Sequence, residues 1–452
     1  MASKGLMIAG LASGSGKTMI TLGLLKAFKE QSRSISAAKT GPDYIDAGFL
    51  GAACGCPAVN LDPFAMPDAL LRNIAARQPG DVVLIEGVMG LFDGADHGVG
   101  SSAALADALD IPLILVLDVR HTAQTAAMLA AALRQILPKN RLAGVILNHV
   151  ASARHSALIE QALTAQSIPL FGAIPKRDDL DVPSRHLGLV QASDLSADGK
   201  LADILTNAGN LLGSHCDLDA IFNAAQPLAC PDPVDNNGHD EALPLPTGLR
   251  VDSPPPAQVI AIAKDAAFGF SYQHLLNGWR RQGAEIKLFS PLNDETPTAD
   301  ADFIFMPGGY PELHLPQLAG ASTFHRAMQN AAMNGIPIYG ECGGFMALGS
   351  GITNKDGVRY PMLGLLKLET SFAARKRHLG YRRLDPIDSF YWQGPLLGHE
   401  FHYTSATMAQ GKPLFHSVDA SGASLGTIGL RNNSVAGSYA HIIAQGTLRH
   451  LS

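Results

Sequence analysis

The chain has 452 residues, of which 46% are hydrophobic and 16% charged, and its formal net charge is -6. This length exceeds what one hydrophobic core usually supports, and the apolar content excludes general disorder, so we expect two globular domains. The negative charge leaves no basic field for a phosphate backbone, so we expect no nucleic-acid partner. The five cysteines are irregularly spaced, which indicates reduced thiols rather than a disulfide framework, and we interpret Cys54 and Cys56 as small buried residues.

The N-terminal segment has an apolar run that could be mistaken for a targeting signal. The run after Lys4 is short and leads directly into a glycine-rich loop, so we do not interpret it as a signal peptide. Elsewhere, no apolar stretch approaches the roughly 20 residues that are needed to span a bilayer. We therefore expect a cytoplasmic protein without a membrane partner.

Short apolar runs alternate with helix-like segments along both halves of the chain. In the first half, the runs that we predict as buried parallel strands are residues 6–9, 82–85, 113–117 and 145–147. A stretch rich in Pro, Asp and Asn follows, after which strand-like runs resume at residues 259–263, 285–289, 303–306 and 336–339. The pattern predicts an α/β fold with a first domain at 1–218, a linker at 219–256 and a second domain at 257–452.

The first predicted strand leads into the segment GLASGSGKT, which runs from Gly10 to Thr18. A glycine-rich turn between a strand and a helix directs backbone N–H groups and the positive end of the helix at a polyphosphate. The residues that we predict to bind ATP are Ser13, Gly14, Ser15, Gly16, Lys17 and Thr18. The usual spacing is lengthened here, since Leu11 stands where the first glycine is expected. The alternative interpretation is a glycine-rich turn with an incidental Lys-Thr pair.

Acidic residues follow two of the predicted strands. Glu86 ends an apolar strand, and the motif KTGPDYID supplies Lys39, Asp43 and Asp46. Ligands bind at the carboxyl ends of strands in open α/β sheets, and Mg²⁺ prefers oxygen ligands. The sequence therefore predicts a Mg²⁺ site formed by Thr18, Asp43 and Glu86 with ATP. Helix capping and turn hydrogen bonds are the alternative roles for these carboxylates.

In the second half, the sequence IPIYGECGGFMALG places Cys342 between a strand and a helix, before two glycines. This context is typical of a nucleophile elbow, whereas most single cysteines are inert core residues. A thiol needs a nearby base, and His441 in GSYAHIIA is the candidate. The backbone N–H groups of Gly309, in MPGGYPELH, and Gly343 could stabilise an oxyanion.

These motifs resemble the a,c-diamide synthases of the cobalamin pathway over nearly the whole chain. The segments that carry the resemblance are GLASGSGKT, KTGPDYID, VNLDPFAM, EGVMGLFDG, GVILNHV, PSRHLGLV, MPGGYPELH, YGECGGFMALG, RKRHLGYRR, GHEFHY and GSYAHIIA. The resemblance implies an N-terminal doubly wound P-loop domain similar to dethiobiotin synthetase. It also implies a C-terminal class I glutamine amidotransferase domain of the cobyric-acid-synthase type.

The resemblance implies particular small-molecule partners, which are ATP with Mg²⁺, L-glutamine and a polyanionic corrin macrocycle. Tyr44 and Asp46 are substrate-binding candidates by resemblance, and Lys39, Arg185 and His186 are further candidates because the macrocycle is anionic. Many class I glutaminases have an acidic residue two positions after the base, but Ile443 stands there in this chain. The sequence therefore leaves open what orients the predicted base.

Alternative functions remain open on the sequence alone. Cobyric acid synthase and nickel-sirohydrochlorin a,c-diamide synthase share the elbow and the phosphate loop, and a non-catalytic ATP-dependent switch protein is a rival from another class. The resemblance favours the metal-free ring, hydrogenobyrinate, over the cobalt-containing cobyrinate. A homodimer is one expectation, but the sequence determines neither the oligomeric state nor the order of amidation.

Overall fold

The computed structural model of the chain describes residues 3–95, 98–138, 141–177, 192, 195, 199–229, 253–374 and 376–446. The backbone divides into two units, Met1–Leu243 and Pro244–Ser452. Among the described residues, no helix combines the length and the apolar character that a membrane span requires.

The first unit alternates strands and helices. Its strands are β1 (Lys4–Gly10), β2 (Ile35–Thr40), β3 (Val59–Leu61), β4 (Val82–Glu86), β5 (Leu113–Asp118), β6 (Leu142–Val150), β7 (Leu170–Pro175) and β8 (Gln226–Pro227). Its helices are α1 (Lys17–Glu30), α2 (Tyr44–Cys54), α3 (Asp68–Ala76), α4 (Ser102–Leu109), α5 (Gln124–Ile136), α6 (Ala153–Ala165), α7 (Lys200–His215) and α8 (Leu218–Asn223).

The strands of the first unit form one sheet in the order β3-β2-β4-β1-β5-β6-β7, with β8 pairing antiparallel to β1. The other pairs are parallel. Strands of this kind are covered on both faces, so they are continuous apolar runs, and Leu6, Leu84 and Val116 are at most 1% exposed. The register places Glu86 of β4 opposite both Ile8 of β1 and Lys39 of β2. A carboxylate and an ammonium group therefore lie side by side at the carboxyl edge of the sheet.

The second unit contains more strands than helices. Its strands are β9 (Val259–Ala263), β10 (Glu285–Phe289), β11 (Phe303–Met306), β12 (Ile338–Glu341), β13 (Gly351–Thr353), β14 (Arg359–Pro361), β15 (Lys367–Ser371), β16 (His378–Pro386), β17 (Leu396–His402), β18 (Ser405–Gln410), β19 (Phe415–Val418), β20 (Ser424–Ile428), β21 (Leu430–Asn432), β22 (Val435–Ser438) and β23 (Ala440–Gln445). Its α-helices are α9 (Gln273–Arg281), α10 (Leu315–Gly320), α11 (Ser322–Met333) and α12 (Gly343–Leu348), and short 3-10 helices cover Pro291–Asn293 and Pro311–Leu313.

The central sheet of the second unit has the order β10-β9-β11-β12-β22-β21 and is parallel except for β21. Two further sheets, β14-β13-β15-β18 and β20-β19-β16-β17-β23, are largely antiparallel. β12 ends at Glu341, directly before Cys342, and pairs with β22 so that Glu341 lies opposite Ser438. β23 begins two residues later and carries His441.

The observed elements confirm the predicted α/β fold class. Three predicted strands, β9, β10 and β11, have the same bounds in the structure. Strand β12 begins and ends two residues later than the predicted run. Residues 218–228, most of which we assigned to the linker, include α8 and β8, and β8 pairs with β1. The first unit therefore extends past the predicted end of the first domain.

Candidate active sites

The glycine-rich turn of the first unit joins β1 to α1. Gly14 and Gly16 have φ values of 77° and 91°, in the left-handed region that favours glycine. A Cβ on Gly16 would overlap the side-chain amide of Asn148, and that amide donates a hydrogen bond to the Ser15 carbonyl oxygen at 3.0 Å. The shape of the loop is therefore fixed by a side chain from the carboxyl end of β6. Ser13 is exposed, whereas Ser15 is 5% exposed, and its hydroxyl has no partner among the described residues.

Lys17, the first residue of α1, turns back under this loop. Its Nζ donates hydrogen bonds to the carbonyl oxygens of Ala12, at 2.9 Å, and Met89, at 2.6 Å. Burial and the nearby Lys39 ammonium group lower the pKa of Lys17. The ammonium group is thus held beside the loop by backbone carbonyls from two different segments.

Glu86 is the centre of a buried polar cluster at the end of β4. Its Oε1 accepts hydrogen bonds from the Thr18 hydroxyl at 2.6 Å and the Lys39 ammonium group at 2.9 Å. Lys39 also contacts the Asp46 carboxylate at 2.6 Å. The Glu86 side chain is fully buried, and its Oε2 has no partner among the residues that the structure describes. A buried carboxylate oxygen beside a hydroxyl is a donor set that suits a hard cation.

The charges in this cluster are coupled. Burial raises the pKa of Glu86 to about 7, although Lys39 opposes the shift. Burial disfavours the charged form of Lys39, but the carboxylates of Glu86, Asp46 and Asp43 outweigh it and raise the Lys39 pKa. The cluster therefore holds a cationic lysine at the edge of the sheet where the phosphate loop ends.

Of the three predicted Mg²⁺ ligands, Thr18 and Glu86 are hydrogen-bonded to each other. Asp43 is the N-cap of α2, where its Oδ1 accepts from the backbone N–H groups of Ile45, at 2.9 Å, and Asp46, at 3.1 Å. This is the capping role that we gave as the alternative. Tyr44 is the first residue of α2 and is half-buried. The predicted substrate residues Arg185 and His186 lie outside the described residues.

Cys342 stands at a strained strand-to-helix turn in the second unit. Its φ of 45° and ψ of -103° lie outside the common regions for a residue with a side chain. Its N–H donates to the Ser438 carbonyl oxygen at 2.8 Å, and its own carbonyl accepts from the Met346 N–H at 3.0 Å. The thiol is 4% exposed, and burial raises its pKa. The thiol therefore needs a base to become a nucleophile.

His441 lies on β23 and is 2% exposed. A Cβ on Gly308 would overlap the imidazole Cε1, so the ring packs directly on that glycine backbone. Burial, and then His399 and His402, lower the pKa of His441 to about 3. The imidazole is therefore neutral at neutral pH and able to accept a proton.

Glu341 connects the elbow to the histidine strand. Its Oε2 lies 3.7 Å from His441 Nδ1, and its Oε1 accepts the Ile442 N–H at 3.1 Å. Burial raises the pKa of Glu341 to about 8. The residue directly before Cys342 thus contacts the predicted base. The sequence did not indicate this contact, although Glu341, like Glu86, is a carboxylate at the end of a buried strand.

The predicted oxyanion-hole glycines lie against each other. A Cβ on Gly343 would lie 2.9 Å from the backbone nitrogen of Gly309, and a Cβ on Gly309 would overlap the Ala267 carbonyl oxygen. Neither position has room for a side chain. Two backbone segments, one of them directly after Cys342, are therefore packed closely against each other.

A second polar cluster lies on β16 and β17. Glu400 accepts hydrogen bonds from Arg382 Nε and from His402 Nε2, each at 2.8 Å. His378, Glu400 and His402 offer ligand atoms within 4.8 Å of one another. The two imidazole rings are stacked, with centroids 4.7 Å apart and planes 9° from parallel. Ring nitrogen lone pairs lie in the ring plane, so these rings do not converge on one ion, and we interpret the cluster as structural.

Comparison with known proteins adds family membership to this geometry. The CobQ/CobB/MinD/ParA nucleotide binding domain family matches residues 6–190, and the CobB/CobQ-like glutamine amidotransferase domain family matches residues 259–448. The chain therefore combines a nucleotide-binding domain with a glutamine amidotransferase domain.

Relatives that match nearly the whole chain identify the family more closely. A hydrogenobyrinate a,c-diamide synthase from Rhizobium meliloti (strain 1021) is 47% identical over 97% of this chain and 99% of its own length. One from Brucella suis biovar 1 (strain 1330) is 47% identical over 97% of this chain and 98% of its own. The chain belongs to the family of hydrogenobyrinate a,c-diamide synthases, which confirms the resemblance. A solved glutamine amidotransferase structure has a TM-score of only 0.30 and 15% identity, covering 41% of this chain and 90% of that one.

Proposed function

We propose that the chain is an ATP- and glutamine-dependent ligase that amidates the a and c acetate carboxylates of hydrogenobyrinate. The observation that carries this proposal is the presence, on one chain, of a glycine-rich loop beside a buried acidic cluster and of a thiol at a strand-to-helix elbow, where Glu341 contacts the His441 imidazole. The names of the relatives supply the substrate. A carboxylate is a poor acceptor for ammonia, so it must first be activated, and the two sites divide these tasks.

In the second unit, the Cys342 thiol attacks the side-chain amide of glutamine after His441 accepts its proton. The N–H groups of Gly309 and Gly343 stabilise the oxyanion, and His441 then gives a proton to the departing ammonia. Water hydrolyses the thioester and releases glutamate. In its ionised form, Glu341 stabilises the imidazolium that forms in this step, and it takes the role of the acidic residue that is lacking at position 443.

In the first unit, the backbone N–H groups of the loop from Ser13 to Thr18 bind the phosphates of ATP, and Lys17 neutralises their charge. Thr18 and Glu86 fit Mg²⁺, because Oε2 of Glu86 is buried with no partner among the described residues and the Thr18 hydroxyl lies beside the same carboxylate. Asp43 is a third candidate ligand, and its charge acts on Lys39, which contacts Glu86. Bound Mg²⁺ would neutralise charge on the transferring phosphoryl group.

The reaction in this unit transfers the γ-phosphoryl group to an acetate carboxylate, and ammonia then displaces phosphate from the acyl phosphate. Lys39 faces the same edge and contributes positive charge near the transferring group. Tyr44, Asp46, Arg185 and His186 are proposed to contact the macrocycle. Cytoplasmic location and a homodimer remain predictions.

The test is incubation with ATP, Mg²⁺ and glutamine together with hydrogenobyrinate, cobyrinate or nickel-sirohydrochlorin, followed by mass measurement of each product. We expect conversion of two carboxylates to amides on hydrogenobyrinate, and formation of ADP, phosphate and glutamate in step with amide. Amidation of another macrocycle, with hydrogenobyrinate left unchanged, would replace the proposed substrate. Glutamate formation without amide on any of the three would remove the ligase assignment.

A further inference from the structure

Two cysteines lie together at the carboxyl end of α2, outside the contacts of both candidate active sites. Cys54 is the last residue of the helix, and Gly55 follows as its C-cap with a φ of 83°. This left-handed turn brings Cys56 back toward the helix, so that the two Sγ atoms lie 3.5 Å apart. The pair is therefore close enough for one thiol to donate a hydrogen bond to the other.

A cation lies beside this turn. A Cβ on Gly55 would overlap Nζ of Lys29, which belongs to α1, so the ammonium group lies at the turn itself. The hydrogen bond from Cys54 and the charge of Lys29 outweigh the opposing effect of burial and lower the pKa of Cys56 to about 7. The same hydrogen bond, together with burial, raises the pKa of Cys54. The two thiols thus have different chemical characters.

The thiol with the lower pKa, Cys56, is also the more exposed of the two. Cys56 is half-buried, whereas Cys54 is only 7% exposed. Cys216 offers a contrast in the same unit, because burial raises its pKa to about 12. A thiolate that is reachable from solvent and has a second sulfur in contact is the arrangement found at reversible oxidation sites.

We propose that Cys54 and Cys56 form a redox modification site, at which a peroxide converts the two thiols into an intramolecular disulfide. This site is independent of the ligase activity proposed above. It also revises our interpretation of the two cysteines as merely small buried residues.

Peroxide oxidises the two thiols in two steps. The Cys56 thiolate attacks one oxygen of hydrogen peroxide, the O–O bond breaks, and hydroxide leaves, which gives a sulfenic acid on Cys56. The Cys54 sulfur then attacks the Cys56 sulfur, the S–S bond forms, the S–O bond breaks, and the oxygen leaves as water with the proton from Cys54. Overall, two thiols are oxidised and one peroxide is reduced to two waters. A dithiol reductant reverses the change by thiol–disulfide exchange.

The test exposes the reduced full-length protein to hydrogen peroxide at about pH 7 and follows each cysteine by alkylation and peptide mass. We expect the peptide with Cys54 and Cys56 to lose both thiols and two hydrogen masses, faster than Cys216 is oxidised, and to recover both with dithiothreitol. In Cys54→Ser, dimedone should trap a sulfenic acid on Cys56. Lys29→Gln should slow oxidation about threefold near pH 7, whereas Lys26→Gln, on the same helix, should not.

Two results would overturn the proposal. One is oxidation of Cys56 in the unmodified chain that is no faster than oxidation of Cys216. The other is sulfenic or sulfinic acid on Cys56 without any disulfide to Cys54. Both results are measured on the protein without substitutions, so a variant that fails to fold would not affect them.

Discussion

The carboxylate of Glu341 lies between the elbow residue and the strand that carries the predicted base. One of its oxygens is fixed by the Ile442 N–H at 3.1 Å, and the other lies 3.7 Å from His441 Nδ1. A charge at this position would stabilise the imidazolium that forms when the thiol loses its proton. This carboxylate therefore precedes Cys342 in the chain, whereas the position two residues after His441 is Ile443.

Glu341→Gln keeps an oxygen for the Ile442 N–H but cannot ionise to a carboxylate beside the imidazolium. We expect the glutamine-supported rate to fall roughly 100-fold, while ammonium-supported synthesis stays at its original rate. Steady-state rates with each nitrogen donor measure this difference. Glu369→Gln, which changes a carboxylate that is paired with Arg359, is the control and should leave both rates unchanged. An equal loss with both donors would show that Glu341 acts only through folding.

Glu400 makes a pH-dependent contribution to stability. Burial disfavours its charged form, but the bonds from His402 and Arg382 outweigh burial and lower its pKa to about 2. Because the folded pKa lies below the ordinary value of 4.5, the stabilisation is complete above about pH 4.5 and is lost as the pH falls toward 2. The shift corresponds to about 3 kcal/mol.

The prediction compares the original chain with Glu400→Gln. The difference in free energy of unfolding should be about 3 kcal/mol near pH 6 and should narrow as the pH falls toward about 3. Both tryptophans of the chain, Trp279 and Trp392, lie in the second unit, so denaturant titration by tryptophan fluorescence reports that unit alone. A difference that does not change with pH would contradict the assigned charge state.

At the scale of elements, strand-to-helix turns were predictable because their chemistry is local. Gly14 and Gly16 follow the apolar run of β1 and have positive φ values, and Gly343 follows β12 and begins α12. The antiparallel strands β16–β20 were not predicted. Strand β18, for example, has no buried residue, so its pairing depends on distant partners and not on an apolar run of its own.

A substitution at Gly308 tests how closely the surrounding elements fix the position of the His441 imidazole. Because a Cβ at this position would overlap the His441 ring, Gly308→Ala should displace the ring and lower the glutamine-supported rate at least tenfold. The ammonium-supported rate should not change. Gly320→Ala is a matched control, since a Cβ there meets no atom within 4 Å. Equal rates for the two variants would show that the ring position does not limit glutamine hydrolysis.

At the scale of the whole molecule, each candidate site is formed within one unit. The residues from Gly10 to Asn148 that shape the phosphate loop belong to the first unit, and those from Gly308 to His441 belong to the second. The sequence predicted both sites because each has a local motif. It did not predict the contact of Asn148 with Gly16 or that of Glu341 with His441. Each contact joins residues that are at least a hundred positions apart in the chain.

In the proposed reaction, one site releases ammonia and the other consumes it. The most direct test is Cys342→Ala, assayed with ATP, Mg²⁺ and hydrogenobyrinate, first with glutamine and then with a high concentration of ammonium. We predict no diamide with glutamine and the original rate of diamide formation with ammonium, because the substitution removes only the nitrogen donor. A folded variant that fails with both donors, or one that still uses glutamine, would contradict the account.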